Sequence, residues 1–191
     1  MSTARRLASR EDLFARGEAR VEVIGGAVVE KAAPSYDHSD AQASATTFLR
    51  SRFHGGGGGG GDAPGGWWIV TECEIELGPH EIYRPDLVGW RRDRVPQRPE
   101  GRCITTRPDW VCEILSASNA RTDLVDKLRV YQRAQIPHYW IVDPVERVLS
   151  VYRNTGHAFE VALTATRGET VHAEPFHQVP FPVGLLFGDD A

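Results

Sequence analysis

The chain has 191 residues, 41% of them hydrophobic and 25% charged, which are the proportions of an ordinary globular protein. A formal net charge of −4 argues against a protein that coats nucleic acid nonspecifically, although local basic patches stay open. No apolar stretch approaches the roughly 20 residues of a membrane-spanning helix, and the opening MSTARRLASRED has no apolar core behind its arginines, so neither a membrane span nor a secretory signal is expected.

Cys73, Cys103 and Cys112 are odd in number and show no CxxC spacing, which leaves a chance disulfide or a single thiol ligand open and reads first as buried reduced thiols in a cytosolic protein. The 22 basic residues include only two lysines, Lys31 and Lys127, so the other 20 are arginine. Against that background a lysine is informative, because arginine does not readily replace a compact, tunable ammonium. Lys31 follows a hairpin and reads as solvated. Lys127 falls inside the central block of the chain.

In chain order, Ser9 to Asp12 has capping-box spacing and Gly17 can close a short helix. Val21, Val23 and Ile24, then Gly25-Gly26, then Ala27-Val28-Val29 predict a β-hairpin with a two-residue turn. Glu22 sits inside its first strand and, from the alternation alone, faces solvent. Residues 35–54 read as a helix with His38 in the first turn, where a lone histidine caps or lies at the surface. Residues 55–66 are a glycine-rich loop within the domain, without the Lys-Ser/Thr of a phosphate-binding loop.

Residues 67–77 predict one long strand, with Glu72, Glu74 and Glu76 on a solvated face. Residues 81–90 predict the next, with Pro85-Asp86 at an edge, bulge or strand start. Six arginines, among them Arg91, Arg92 and Arg94, follow within residues 91–107, a Pro-containing loop that suits a polyanion.

Residues 110–144 then read as strand, turn, helix and strand. Glu113 is set inside the first strand, where a carboxylate is costly unless it is paired or holds a cation. A helix from Thr122 to about Gln135 carries a Leu124, Leu128, Tyr131 stripe with Lys127 at its flank. Short antiparallel strands follow, and the tail FPVGLLFGDD can dock as an apolar plug.

Asp86 and Glu113 form an acid pair on separate strands. Mg²⁺ prefers hard oxygen ligands and uses one or two carboxylates, so these acids, with the carbonyl of Ile114, suit Mg²⁺ or Mn²⁺. Lys127 would orient a water or stabilise charge on a scissile phosphate. Spacing alone leaves a second reading open, in which Asp123 and Lys127 form an ordinary i, i+4 surface pair.

RPDLVGW, DWVCEILSASNARTDLVDKLRVYQRAQIPHYWIVDP and VLSVYR resemble the bacterial "Uma-two" family of restriction-endonuclease-like proteins, in the PD-(D/E)XK nuclease superfamily. RVEVIGGAVVE and SYDHSD extend the resemblance upstream. It implies an α/β fold, a central mixed sheet flanked by helices, with the N-terminal hairpin and antiparallel C-terminal strands attached. It implies Asp86 and Glu113 as the catalytic acids, with Leu115 standing where the superfamily's lysine would follow and Lys127 matching a lysine moved to the helix. Glu22 and His38 match recurrent family positions, so the resemblance adds Glu22 to the catalytic set and His38 as a supporting residue. The combined expectation is one domain over residues 1–191, a metal-dependent endonuclease acting on DNA in the cytoplasm, compatible with a homodimer. The rival readings are an inactive nucleic-acid-binding or partner-binding protein on the same fold.

Overall fold

The computed structural model describes residues 6–17, 19–55, 64–116 and 122–190. Most of the glycine-rich loop and the Ser118-Asn119 turn therefore lie outside the described residues, as do the side chains of Asp123 and Leu124.

Local signals become the predicted elements at the N-terminal end. The Ser9–Asp12 capping box opens a short helix, α1 (Arg10–Phe14). Strands β1 (Val21–Ile24) and β2 (Ala27–Glu30) turn on Gly25 and Gly26, whose φ values of +56° and +75° are the left-handed pair a two-residue hairpin needs. Ser35 caps α2 (Tyr36–Phe53) by accepting from the His38 amide at 3.2 Å.

The long strand expected over residues 67–77 is two strands in two different sheets. They are β3 (Trp67–Thr71) and β4 (Ile75–Gly78), and the chain breaks at Glu72, held at φ +53°. Residues 81–90 divide the same way into β5 (Glu81–Tyr83) and β6 (Leu87–Arg91), with Pro85-Asp86 at the crossing. The three glutamates therefore do not share a solvated face. Each meets a different arginine: Glu72 meets Arg20 at 2.7 Å, Glu74 meets Arg102 at 2.7 Å and Glu76 meets Arg10 at 2.6 Å.

Strand β7 (Trp110–Ile114) is followed by a π-helical turn (Thr122–Lys127), α3 (Leu128–Arg133) and β8 (His138–Asp143). Then come β9 (Val148–Asn154), β10 (Phe159–Thr166), β11 (Thr170–Val171), β12 (Phe181–Pro182) and a 3-10 turn (Val183–Phe187).

The fold is α/β, with a mixed central sheet of order β10-β9-β8-β7-β6-β3 in which β7 and β8 run parallel, as their helical crossover requires, and the other pairs antiparallel. A second sheet, β2-β1-β5-β4, contains the N-terminal hairpin, and β11 pairs with β12. Helix α2 lays Ala41, Ala45, Phe48, Leu49 and Phe53 on one face of the central sheet. The predicted tail plug seats there too, burying Phe181, Val183, Leu185 and Leu186 in the same cluster. Trp110 anchors this layer, edge-on to Trp140 at 5.4 Å and to Phe176 at 4.9 Å. Each fully buried large side chain of this kind contributes about 2–3 kcal/mol. Gly89 lies between two of these rings, where an added Cβ would come within 3.2 Å of Trp110 and 3.3 Å of Trp67. On the other face, Val130 and Tyr131 of α3 pack with Val88, Val111, Leu115 and Tyr139. All three cysteines are free thiols, with Cys103 and Cys112 buried.

Candidate active site

Besides the passage through α2, the chain crosses directly from strand to strand between the two sheets twice, at Glu72 and at Arg84–Asp86, and these crossings form the seam in which the acidic residues collect. Opposite-strand register does the rest. Leu87 pairs with Cys112, which sets Asp86 across from Glu113 at the carboxyl end of β7, the place where open α/β sheets bind ligands. Asp86 Oδ2 accepts from the Ile114 amide at 2.7 Å, tying the two strand ends together. Helix α2 supports the same point. Gln42, one turn after His38, donates to the Asp86 carbonyl at 2.9 Å.

Both acids are almost wholly buried, each 1% exposed, and each carries an ammonium. Lys127, at the end of the π-helical turn, lies 3.0 Å from Glu113 Oε1 and 3.1 Å from Glu22 Oε1. It is 2% exposed and therefore not a surface residue, while Asp123, the other member of the i, i+4 reading, has its side chain outside the described residues. Insertion of one extra residue per turn re-aims side chains, and such turns concentrate at functional sites. Tyr131 completes this half by donating its hydroxyl to Glu113 Oε1 at 2.7 Å. Burial and the adjacent Glu113 push that phenol far above its ordinary pKa, so it remains a donor. Glu22 is buried rather than solvent-facing, and its Oε1 also accepts from the Arg84 amide at 2.8 Å.

The other half is built on Lys31, and here the reading of a solvated lysine is overturned. Its side chain is 5% exposed, and Nζ donates to Asp86 Oδ1 at 2.7 Å, to the Arg84 carbonyl at 2.7 Å and to Glu72 Oε1 at 3.3 Å. Burial opposes the charge, but Asp86 and Glu113 outweigh it, so the amine is held as ammonium above its ordinary pKa. Burial likewise opposes ionisation of Asp86, and the neighbouring His38 and Lys31 overcome it, leaving the carboxyl well below its usual range. The two arms of one hairpin thus supply Glu22 and Lys31, and the chain's only two lysines each bridge two acids in the seam.

His38 is buried instead of capping at the surface. Its Nε2 lies 3.2 Å from Asp86 Oδ1 without the direction of a hydrogen bond, and among the described residues neither ring nitrogen has a hydrogen-bonding partner. Glu72 Oε2 is buried in the same condition.

The Arg-rich loop is largely engaged within the molecule. Arg94 forks onto Asp109 at 2.7 and 2.9 Å, Arg91 pairs with Asp93 at 3.1 Å, and Arg92 stacks on Trp68 at 3.4 Å. Arg98 instead lines an open cleft of ≈ 570 Å³ with Arg50, His54, Trp68 and Trp90. That cleft shares Cys73 and Gly101 with a hollow of ≈ 240 Å³ walled by Glu72 and Arg84, at the rim of the seam. Lys31, Gln42, Glu72 and Tyr131 are the site neighbours that pattern reading passed over. Of these, only Lys31 carried a signal in the sequence, the rarity of lysine.

The chain is similar to a solved structure from Anabaena variabilis, described as a putative nuclease belonging to DUF820. The TM-score is 0.69 and the identity 21%, over 94% of this chain and 97% of that one. That likeness is one of fold. No curated protein matches at a significant level. Residues 7–183 match the Uma2 (Uma-two) family, described as "Putative restriction endonuclease". With the match running from α1 through every element of the seam to β12, the chain belongs to that family.

Proposed function

We propose that this protein is a divalent-metal-dependent endonuclease that hydrolyses phosphodiester bonds in DNA, acting as one domain whose two sheets share the site. The observation that carries this reading is the buried Asp86–Glu113 pair set across two strand ends, each acid in contact with an ammonium.

The donor chemistry fits Mg²⁺ or Mn²⁺. Among the described residues no three His, Cys, Asp or Glu side chains form a ready cage, but a hard cation that keeps its waters needs only one or two carboxylates. Asp86 and Glu113 would hold it with the Ile114 carbonyl. When bound, such an ion acidifies a coordinated water and offsets phosphate charge. The protein's own groups do the rest. Lys127 orients the attacking water, whose oxygen bonds to phosphorus as the bridging P–O bond breaks; the water releases a proton to solvent and the departing sugar oxygen takes one up. Tyr131 fixes the Glu113 carboxylate, the Arg84 amide fixes Glu22, and His38 stands against Asp86 as a support.

Plasmid DNA incubated with Mg²⁺ or Mn²⁺ should be nicked or linearised, and Asp86→Ala and Glu113→Ala should each lose this activity. Cleavage that persists in either variant, or in excess EDTA, refutes the assignment. DNA binding without cleavage by the wild type, indifferent to metal and to Lys127→Ala, would support the noncatalytic alternative.

The basic cleft gives the substrate a path to the seam. Arg91 and Arg92 at the loop surface would touch the backbone, while Arg94 braces the loop through Asp109. Arg98→Ala should weaken DNA binding and lower the slope of log affinity against log salt by about 1, the signature of one lost phosphate contact. An unchanged slope in a fluorescence-anisotropy salt series would remove Arg98 from the interface.

Among the described residues no helix is long and apolar enough to cross a membrane. Free thiols at all three cysteines support a cytoplasmic setting.

A further inference from the structure

Lys31 is not explained by the mechanism just given, and it occupies a place that the mechanism needs. All three of its N–H donors are committed, to Asp86, to the Arg84 carbonyl and to Glu72. Asp86 is one of the two acids assigned to the metal, and Oδ1, the oxygen nearest Lys31, is also the one His38 faces. A buried carboxylate needs a counter-charge, and in this state the ammonium is that charge. A divalent cation and an ammonium against the same oxygen repel each other, so the two compete.

Glu72 is the place for the ammonium to go. Its Oε1 is already 3.3 Å from Lys31 Nζ and shared with Arg20 at 2.7 Å, and its Oε2, 3.9 Å from Arg84 Nε, is buried with no hydrogen-bonding partner among the described residues, so it has lone pairs left for an ammonium. Its backbone is held at φ +53°, a left-handed conformation unfavourable for a glutamate, with its amide donating to the Asp86 carbonyl at 3.3 Å. The same residue carries the break between β3 and β4, so the crossing between the sheets fixes this carboxylate beside Lys31. The Arg84 carbonyl can remain bonded throughout.

We propose that Lys31 is the resident counter-ion of the metal site, covering Asp86 in the metal-free protein and exchanging Asp86 for Glu72 when a divalent cation binds. This rests on the metal reading of Asp86 and adds to it a residue that sets how tightly the ion is held. Glu72 is a positioning residue that receives the displaced ammonium.

The test is Mn²⁺ titration of the full chain, with free Mn²⁺ read by electron paramagnetic resonance and thermal melting recorded with and without the ion. Lys31→Met should bind Mn²⁺ about tenfold tighter than wild type, because the competitor is gone, and should melt lower than wild type without metal. Glu72→Gln should bind several-fold more weakly, because the displaced ammonium loses the counter-charge that receives it. Lys31→Met binding equal to or weaker than wild type overturns the proposal. If that variant does not fold, Glu72→Gln decides, and unchanged affinity there overturns it equally. Wild-type binding that survives Asp86→Ala would instead refute the metal reading beneath it, so the two failures are told apart.

Discussion

Lys127→Met should lower the melting temperature by roughly 6–20 °C, the result of losing about 3–5 kcal/mol at 2–4 °C per kcal/mol in a chain of this size. The reason lies in what the ammonium holds apart. Glu22 and Glu113 both lie within 3.1 Å of Nζ, with side chains 5% and 1% exposed. Without the cation two carboxylates share a dry site, where one must take up a proton or the seam must open. Glu113 keeps the Tyr131 hydroxyl and Glu22 keeps the Arg84 amide, so the site is weakened rather than erased. Adding Glu22→Gln removes one of the stranded charges, and the double variant should recover part of the lost stability. DNA cleavage by Lys127→Met should fall by about 10²–10³, the scale of deleting one preorganised charge stabiliser. Circular-dichroism melts of the single and double variants check the first claim. A single variant that melts like wild type would mean that Lys127 does not clamp the seam.

The parts of this site that could be read from sequence were those whose cost is local. An acid embedded in an apolar strand is conspicuous wherever the strand ends up, and both Asp86 and Glu113 stood out for that reason. The resemblance to the family then supplied Glu22 and His38, which the alternation of the hairpin and the helix start had placed at the surface. Lys31 was missed because its burial is not a property of its neighbours in sequence. It follows an amphipathic hairpin arm, and only the second sheet folding over the first encloses it. The second sheet was itself invisible. Residues 67–77 alternate as one strand would, and the break at Glu72 is carried by a positive φ that no glycine announces. At residues 81–90 Pro85 did mark a boundary, but not that the strand on its far side joins another sheet. The π-helical turn that aims Lys127 is likewise silent in a pattern that fits an α-helix.

Leu115 allows the position of the lysine to be tested directly. It stands two residues after Glu113, so its side chain leaves the strand on the same face, and it is buried in the cluster that contains Tyr131, the Glu113 hydrogen-bond donor. The backbone at Leu115 is fixed, its amide donating to the Val142 carbonyl at 2.8 Å. A lysine there would start from the adjacent strand end instead of from the helix, and its four-carbon stem could replace the leucine against the same apolar neighbours. Leu115→Lys on its own adds a third ammonium to a seam with two and should destabilise the chain. Combined with Lys127→Met it restores the charge count, so the double variant should melt above either single variant. If what matters is an ammonium at Glu113, and not the helix that delivers it, the double variant should regain at least about tenfold of the cleavage lost in Lys127→Met. Recovery of stability without recovery of cleavage would separate the two roles of Lys127. It would mean that the ammonium neutralises Glu113 from either direction, but orients the water only from the π-helical turn.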